Sequence, residues 1–430
     1  MSCEHRDPDR WNVCRACGHH AWLPPAARIR LIARDFVERD ARLRGRDPLG
    51  FPGYPGSVER ARERTGAVEA VVAGEGSVDG VRCALVVGDF AFLGGSMGAA
   101  VGEKVARAYD RARRSRLPVV VVTSSGGARM QEGMVSLVQM PKTVEARRLH
   151  AEAGLGQVSV LASPTTGGVY ASFGSLADVI LAEPGATVGF AGPRVVSDLT
   201  GSAPPPDVHT AEHAHAHGLV DLIVPRGVQR RTLGTVLRSL TAAAAKPRPV
   251  APTRPARPGR LGAWERLQLA RHPDRPTGPE VARGILTDAF ELRGDRSGSD
   301  DEAVRVLMGA LRTTGARVVV IAQDASTPRG MRPGGYRKVR RAVRAAGRLG
   351  LPVVTVIGTR GADPLPDSEA AGIAGAIART FETLLACPSP SVAVVWGEGG
   401  SGGALALGAC DRLVAMENSV FSVIAPEGAA

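Results

Sequence analysis

Two stretches of the chain are near-copies of each other about 234 positions apart. Residues 116–129 read RLPVVVVTSSGGAR and residues 350–363 read GLPVVTVIGTRGAD. A second pair follows at nearly the same offset: TGGVYASFGSLADVILA from Thr166 and SGGALALGACDRLVAM from Ser401. Chance resemblance between apolar runs would not preserve both order and spacing, so the sequence predicts two homologous α/β units. Each carries two glycine-marked turns directly after an apolar strand.

The 430 residues exceed what one hydrophobic core fills and suit two domains. Hydrophobic residues make up 44% and aromatics only 4%, so the cores are built from Val, Leu, Ala and Ile. No apolar run approaches the roughly 18 residues of a spanning helix. The N-terminus is polar rather than charged-then-apolar, which leads to the expectation of a cytoplasmic protein with no membrane partner. Of six cysteines, Cys3, Cys14 and Cys17 crowd the start, whereas Cys83, Cys387 and Cys410 lie singly in apolar surroundings. That is not a disulfide framework. The net charge of +12 points towards a polyanion, yet only Lys104, Lys142, Lys246 and Lys338 of the 54 basic residues are lysines. Clusters such as Arg111, Arg113, Arg114 and Arg116, or Arg337, Lys338, Arg340, Arg341 and Arg344, fall at helical spacing. They read first as solvated helix faces, next as contacts to a phosphate-bearing ligand, and last as a nucleic-acid surface.

Residues 242–259, AAAAKPRPVAPTRPARPG, are basic and proline-rich without apolar periodicity and are expected to link the copies. The expected division is a Cys/His module at 1–22, a first domain at 23–241, a linker at 242–260 and a second domain at 261–430. Residues 24–66 read as a helix followed by a Gly/Pro-rich loop. Residues 68–87 alternate as paired strands about a Val78-Asp79-Gly80 turn. Helical periodicity over 98–115 precedes a β-branched strand at 119–123, and the second copy repeats this with a helix at 336–348 and a strand at 353–357. Helices alternating with buried strands imply a mostly parallel sheet.

A strand that ends in Ser-Gly-Gly-Ala and then turns leaves backbone N–H groups unpaired, with no side chain to block a ligand. Two such turns converging can hold a developing oxyanion. Gly126, Gly127, Gly167 and Gly168 are the candidates in the first copy. In the second they are Gly361 and Ala362 with Gly402 and Gly403, or with Gly399 and Gly400. A glycine after a buried strand also reads as a plain tight turn, and repetition favours the amide site. GxxxxGK[ST] is absent, and Glu398 and Gly399 interrupt what otherwise looks nucleotide-binding in residues 397–403. Ser124, Ser125 and Ser401 lie outside any GxSxG elbow, and His209, His213, His215 and His217 share one stretch without a fixed partner. The scarcity of side-chain sets favours a reaction run by main-chain amides.

At these residues the sequence resembles the carboxyltransferase component of biotin-dependent acetyl-CoA carboxylase, in the crotonase-like group. Residues 124–140 (SSGGARMQEGMVSLVQM), 163–174 and 182–195 are similar to the β-subunit; 290–296 (FELRGDR), 334–362 and 397–428 are similar to the α-subunit. The resemblance implies a β-α fusion of two tandem crotonase-like (ClpP/crotonase) β-β-α superhelix domains, preceded by a zinc-ribbon-like module. It implies transfer of a carboxyl group from carboxybiotin, borne on a biotin carboxyl carrier protein, to acetyl-CoA or a related short acyl-CoA, giving malonyl-CoA. A biotin carboxylase partner and a homo-oligomer follow from the same resemblance. Gly126, Gly127, Gly167 and Gly168 would face the thioester and Gly361, Ala362, Gly402 and Gly403 the biotin. Arg129, Arg337 and Lys338 would contact CoA phosphates or the carboxylate, or form salt bridges. Structural zinc would sit on Cys3, His5, Cys14 and Cys17, with His19 or His20 as a substitute ligand. A competing enzymatic reading, another crotonase-like hydrolase, isomerase or decarboxylase, would need a side-chain acid or base near Gly168 and none stands out, whereas two departures support a non-catalytic acyl-CoA-binding or regulatory subunit. The α-like turn reads Arg360-Gly361-Ala362-Asp363, with Arg360 a candidate partner of Asp363, and the α-like domain is expected to be C-terminally short.

Overall fold

β-Branched residues decide where the strands fall. Val119–Ser125 (β4) is too short and too branched for a helix and is buried along its whole length. The computed structural model describes residues 7–241 and 259–423. Most of the expected linker, residues 242–258, lies outside them. The chain divides into two compact units, Met1–Thr241 and Ala242–Ala430.

In the first unit, β1 (Arg34–Arg39), β2 (Val71–Val78), β3 (Val81–Gly88), β4, β5 (Gln157–Thr166), β6 (Val179–Ala182) and β8 (Leu222–Ile223) form one sheet in that order. β7 (Val188–Gly189) pairs with the far end of β5. The β1–β2 and β2–β3 pairs are antiparallel and the others parallel. Asp79 and Gly80, at φ 47° and 82°, make the two-residue turn between β2 and β3. Left-handed backbone at both central positions matches the twist of the flanking strands. The Ala99–Arg114 helix buries Val101, Val105, Ala108 and Ala112 against Val86, Val119 and Val121 of the sheet. Between 24 and 66 the expectation was incomplete: β1 intervenes between helices Pro25–Ile32 and Tyr54–Thr65. Five of its six residues are exposed, so no apolar alternation announces it.

The second unit repeats β1 to β7 in order, with no counterpart of β8 among the described residues. β9 (Leu286–Glu291), β10 (Val304–Leu311), β11 (Arg317–Gln323), β12 (Val353–Thr359), β13 (Ser391–Gly400) and β14 (Arg412–Ala415) form the sheet, with β15 (Val420–Ser422) on β13. Its first two pairings are antiparallel and the rest parallel. Even the irregularity recurs: register shifts between Thr123 and Ser125 on β4, and between Ile357 and Thr359 on β12.

One correction concerns the alignment of the copies. Gly167 and Ser401 both have left-handed backbone, at φ 60° and 59°. Gly127 and Gly361 are matched likewise, at 120° and 143°, and bridges Met97–Ala128 and Met331–Ala362 are equivalent. Ser401 therefore corresponds to Gly167, not to Thr166.

The copies differ at β6 and β14. β6 is covered by Ala211, Ala214 and Val220, leaving Ile180 1% and Leu181 0% exposed. On β14, Leu413 and Val414 are 51% and 48% exposed.

The zinc-ribbon-like module is not supported by a gathered ligand set. Cys3 and His5 lie outside the described residues, Cys14 is buried, and Cys17 is exposed. Among the described residues no three His, Cys, Asp or Glu side chains are grouped to hold a metal. His20 lies beside a different group, its Nδ1 3.8 Å from Oε2 of Glu183. Glu183 is fully buried at the end of β6 and receives Arg28, both ends of Arg226 (2.8 and 2.7 Å) and Gln229 (3.1 Å). Arg226 also donates to the Trp11 carbonyl at 2.8 Å, so this carboxylate fastens the N-terminal loop to the sheet.

Candidate active site

In each unit the central parallel strand ends in a glycine turn that touches the start of the helix after the next strand. In the first unit these are Gly126–Ala128, after β4, and Gly167–Val169, after β5. A Cβ on Gly127 would stand 3.2 Å from Gly167 Cα and 3.3 Å from Gly168 N; one on Gly167 would stand 2.7 Å from Gly127 Cα. Two backbones approach this closely only without side chains.

The expected amides divide into occupied and open ones. Gly126 N–H donates to the Gly94 carbonyl (2.8 Å), Gly127 N–H to Ser125 Oγ (3.0 Å) and Gly167 N–H to the Phe190 carbonyl (2.8 Å). These three hold the turns in shape. Gly168 lies in the first helical turn, where an N–H has no intrahelical acceptor. Beside it is an amide that sequence reasoning missed. Ala128 N–H has no acceptor among the described residues, and a Cβ on Gly168 would lie 3.7 Å from Ala128 N.

The second unit repeats the arrangement. Gly361 N–H is held by Thr359 Oγ1 at 3.2 Å, as Gly127 is by Ser125. Ala362, the counterpart of Ala128, has no acceptor for its N–H among the described residues. Gly402 and Gly403 open the Ser401–Gly408 helix. A Cβ on Gly403 would come within 2.5 Å of Ala362 N, while Gly402 faces open space. The alternative pair, Gly399 and Gly400, belongs to the strand β13 instead.

Each turn is anchored from behind by an ion cluster, fully buried in the first unit and reaching solvent through Arg329 and Asp367 in the second, and the two clusters have opposite polarity. Arg129 is 1% exposed and donates to Glu69 (2.6 Å), the Ser96 carbonyl (2.8 Å) and Tyr54 Oη (3.3 Å), with Glu132 at 3.5 Å. Burial alone would discharge it, but the Glu69 carboxylate holds its guanidinium well above the ordinary range. Glu132 accepts the N–H of Ala99, tying the cluster to the start of the Ala99–Arg114 helix. The equivalent position is Asp363, held by Arg329 (Nε 3.0 Å) and Ser368, with Asp367 also on Arg329 (2.8 Å). The Arg329 hydrogen bond keeps the Asp363 carboxyl below its usual value. Asp363 thus pairs with Arg329 and not with Arg360, whose side chain is exposed.

The Arg129 guanidinium is thus engaged by the protein's own groups. Lys338 is likewise buried, with Nζ 2.8 Å from Asp300 and 2.9 Å from the Val304 carbonyl at the start of β10. Its counterpart Lys104 reaches the Val71 carbonyl at the start of β2 (3.3 Å). Arg337 is partly exposed and paired to Asp295 at 2.6 Å. All three cations are engaged by carboxylates, Arg129 by Glu69, Lys338 by Asp300 and Arg337 by Asp295.

Comparison with known proteins fits this picture. Residues 257–430 match the family model "Acetyl co-enzyme A carboxylase carboxyltransferase-like". The chain is 46% identical to acetyl-coenzyme A carboxylase carboxyl transferase subunits beta/alpha of Salinispora arenicola, and 44% identical to that of Salinispora tropica. Each match spans 97% of this chain and 78% of the relative. The fold is similar to that of the transcarboxylase 12S hexamer crystallised with methylmalonyl-coenzyme A, with a TM-score of 0.78 and 22% identity over 95% of this chain and 79% of that one.

Proposed function

Because the chain belongs to the acetyl-CoA carboxylase carboxyltransferase family and is a biotin-dependent acyl-CoA carboxyltransferase, we propose that its two groups of amides divide the reaction between them. Ala128 and Gly168 hold the thioester oxygen of acetyl-CoA, and Ala362 with Gly402 and Gly403 hold the ureido oxygen of biotin. The observation that carries this assignment is the recurrence of one open N–H in each turn beside a helix start, while the neighbouring glycine N–H groups are spent on the turn itself.

Carboxybiotin, brought by a carrier protein, supplies the carboxyl group as CO₂ when its N–CO₂ bond breaks and the electron pair stays on the ureido group. The chain's part is electrostatic. Negative charge grows on the ureido oxygen as CO₂ leaves, and the second unit's amides meet it. Negative charge grows on the thioester oxygen as the methyl proton departs to the biotin nitrogen, and the first unit's amides meet that. The new carbon–carbon bond to CO₂ then gives malonyl-CoA. Fixed N–H groups need no reorganisation as charge develops, and loss of one such donor costs about 10²–10³-fold in rate.

The reverse half-reaction, decarboxylation of malonyl-CoA with free biotin, tests this. A valine at Gly168 would meet Met140 Sδ at 3.1 Å and crowd Ala128 N. Gly168→Val and Gly403→Val, the latter with a Cβ 2.5 Å from Ala362 N, should each lower turnover by at least about 100-fold without changing the far-UV circular dichroism. Full activity in either folded variant would remove that amide from the mechanism.

A further inference from the structure

The second unit encloses a cavity of about 180 Å³ walled by residues 270–278, the end of β12 and the later half of β13. Its lining is unbalanced in charge: Arg271, His272, Arg275 and Arg360 stand against one acid, Glu398. That acid is already spent, because Arg271 meets both of its carboxylate oxygens at 2.7 Å.

Arg275 has no acid of its own. Its guanidinium lies over the Trp396 indole, 5.7 Å from the ring centroid. The two terminal nitrogens make only long bonds, 3.4 Å each, to the carbonyls of Leu269 and Glu417. The buried Nε has no acceptor among the described residues. Burial pushes the group below its ordinary value, with no carboxylate to oppose it. Arg360 lines the same cavity from the strand end. It is exposed, and among the described residues its guanidinium makes no hydrogen bond or ion pair. His272 accepts the Asp274 N–H on Nδ1 at 3.2 Å, which leaves Nε2 as the donor of the neutral ring.

The first unit is an internal control, since β4 and β5 align with β12 and β13 at one constant separation. Gly126 stands there for Arg360, Ala162 for Trp396 and Pro164 for Glu398. The same turn is thus built without a cation, an indole or an acid at these positions, so the turn geometry does not call for them. A guanidinium stacked on an aromatic face presents a planar fork, which matches oxyanions bidentately. The cavity is smaller than the roughly 300–1,000 Å³ of drug-sized sites, which limits its occupant to one small group. We infer that this cavity is a binding site for a small oxyanion, a phosphate or carboxylate group, held by Arg275 and Arg360 with His272 beside them. Ala362, Gly402 and Gly403 are not among the described residues that line it, so the site does not rest on the assignment of the open amides. An anion bound there ties residues 271–277 to the residue that precedes the Gly361 turn.

Trp396 reports on the site directly. Tryptophan emission of the full chain is titrated with inorganic phosphate and with succinate, and the change retained by Trp396→Phe is subtracted. The expected result is a saturable change with at least one of the two anions, weakened by added sodium chloride. Arg275→Met and Arg360→Gly should each reduce the affinity at least about tenfold, the loss of one charge-assisted contact. Arg360→Gly installs the first unit's own residue at an exposed position, so it carries the test even where Arg275→Met disturbs the fold. A response to phosphate alone assigns the site to a phosphate group, and a response to succinate alone assigns it to a carboxylate. No saturable change with either anion, or equal affinity in the parent and in Arg360→Gly, would overturn the proposal.

Discussion

Ser401 and Glu183 show how much single positions contribute. Ser401 keeps a left-handed backbone that its counterpart Gly167 adopts freely. Holding a non-glycine residue there costs roughly 1–2 kcal/mol, and glycine's extra chain entropy costs about 0.5–1 kcal/mol. Ser401→Gly is therefore expected to leave stability unchanged or raise it by up to about 1.5 kcal/mol, read from the urea midpoint. A clear loss would mean that the hydroxyl has a function. Burial alone would raise the Glu183 carboxyl, but His20, Arg28 and Arg226 hold it well below the usual carboxylate range. A carboxyl lowered in the folded state stabilises above its unfolded value, about pH 4.3, and that contribution disappears as pH falls through the folded value. Glu183→Gln should cost about 3–5 kcal/mol at pH 7 by leaving two buried guanidinium groups uncompensated. The loss should shrink as the pH of the melt is lowered into the acid range; a pH-independent loss would exclude the ionic account.

At the scale of elements, the strands around the site were readable because their cause is local. Runs such as Val119–Val122 have no alternative to a buried strand, and Asp79-Gly80 dictates its turn. β1 was not readable, since its pairing with β2 depends on backbone bonds while its side chains face water. Of the four glycines expected in the first turn-helix pair, Gly126, Gly127 and Gly167 spend their N–H groups on the turn itself. Glycine marks where backbones must touch, whereas the open donor is the next residue, and Ala128 would have been found by carrying Ala362 back at one constant separation. The ion clusters were invisible because Glu69 meets Arg129 only through the sheet. Arg129→Met should cost about 3–5 kcal/mol and lower turnover by loosening the turn. Adding Glu69→Gln should recover part of the stability. If chemical denaturation shows the two losses simply adding, the cluster is not the anchor described.

For the whole molecule, the unequal covering of β6 and β14 has a measurable result. Leu413 and Val414, which alternate sides of β14, are 51% and 48% exposed, so this edge of the sheet leaves apolar side chains uncovered on both faces, of the kind that drive association. Leu413→Arg combined with Val414→Arg should lower the sedimentation coefficient at micromolar concentration while leaving secondary structure intact. An unchanged coefficient would mean that this face takes no part in self-association.

The opposed polarity behind the two turns bears on how such a chain can be rearranged. A graft carrying residues 126–129 into the second unit would set a guanidinium against Arg329, and the reverse graft would add a third acid to Glu69 and Glu132. Recombination between the halves is viable only when turn and anchor travel as one block, so the charge swap works as a barrier that keeps the twin sequences from being homogenised.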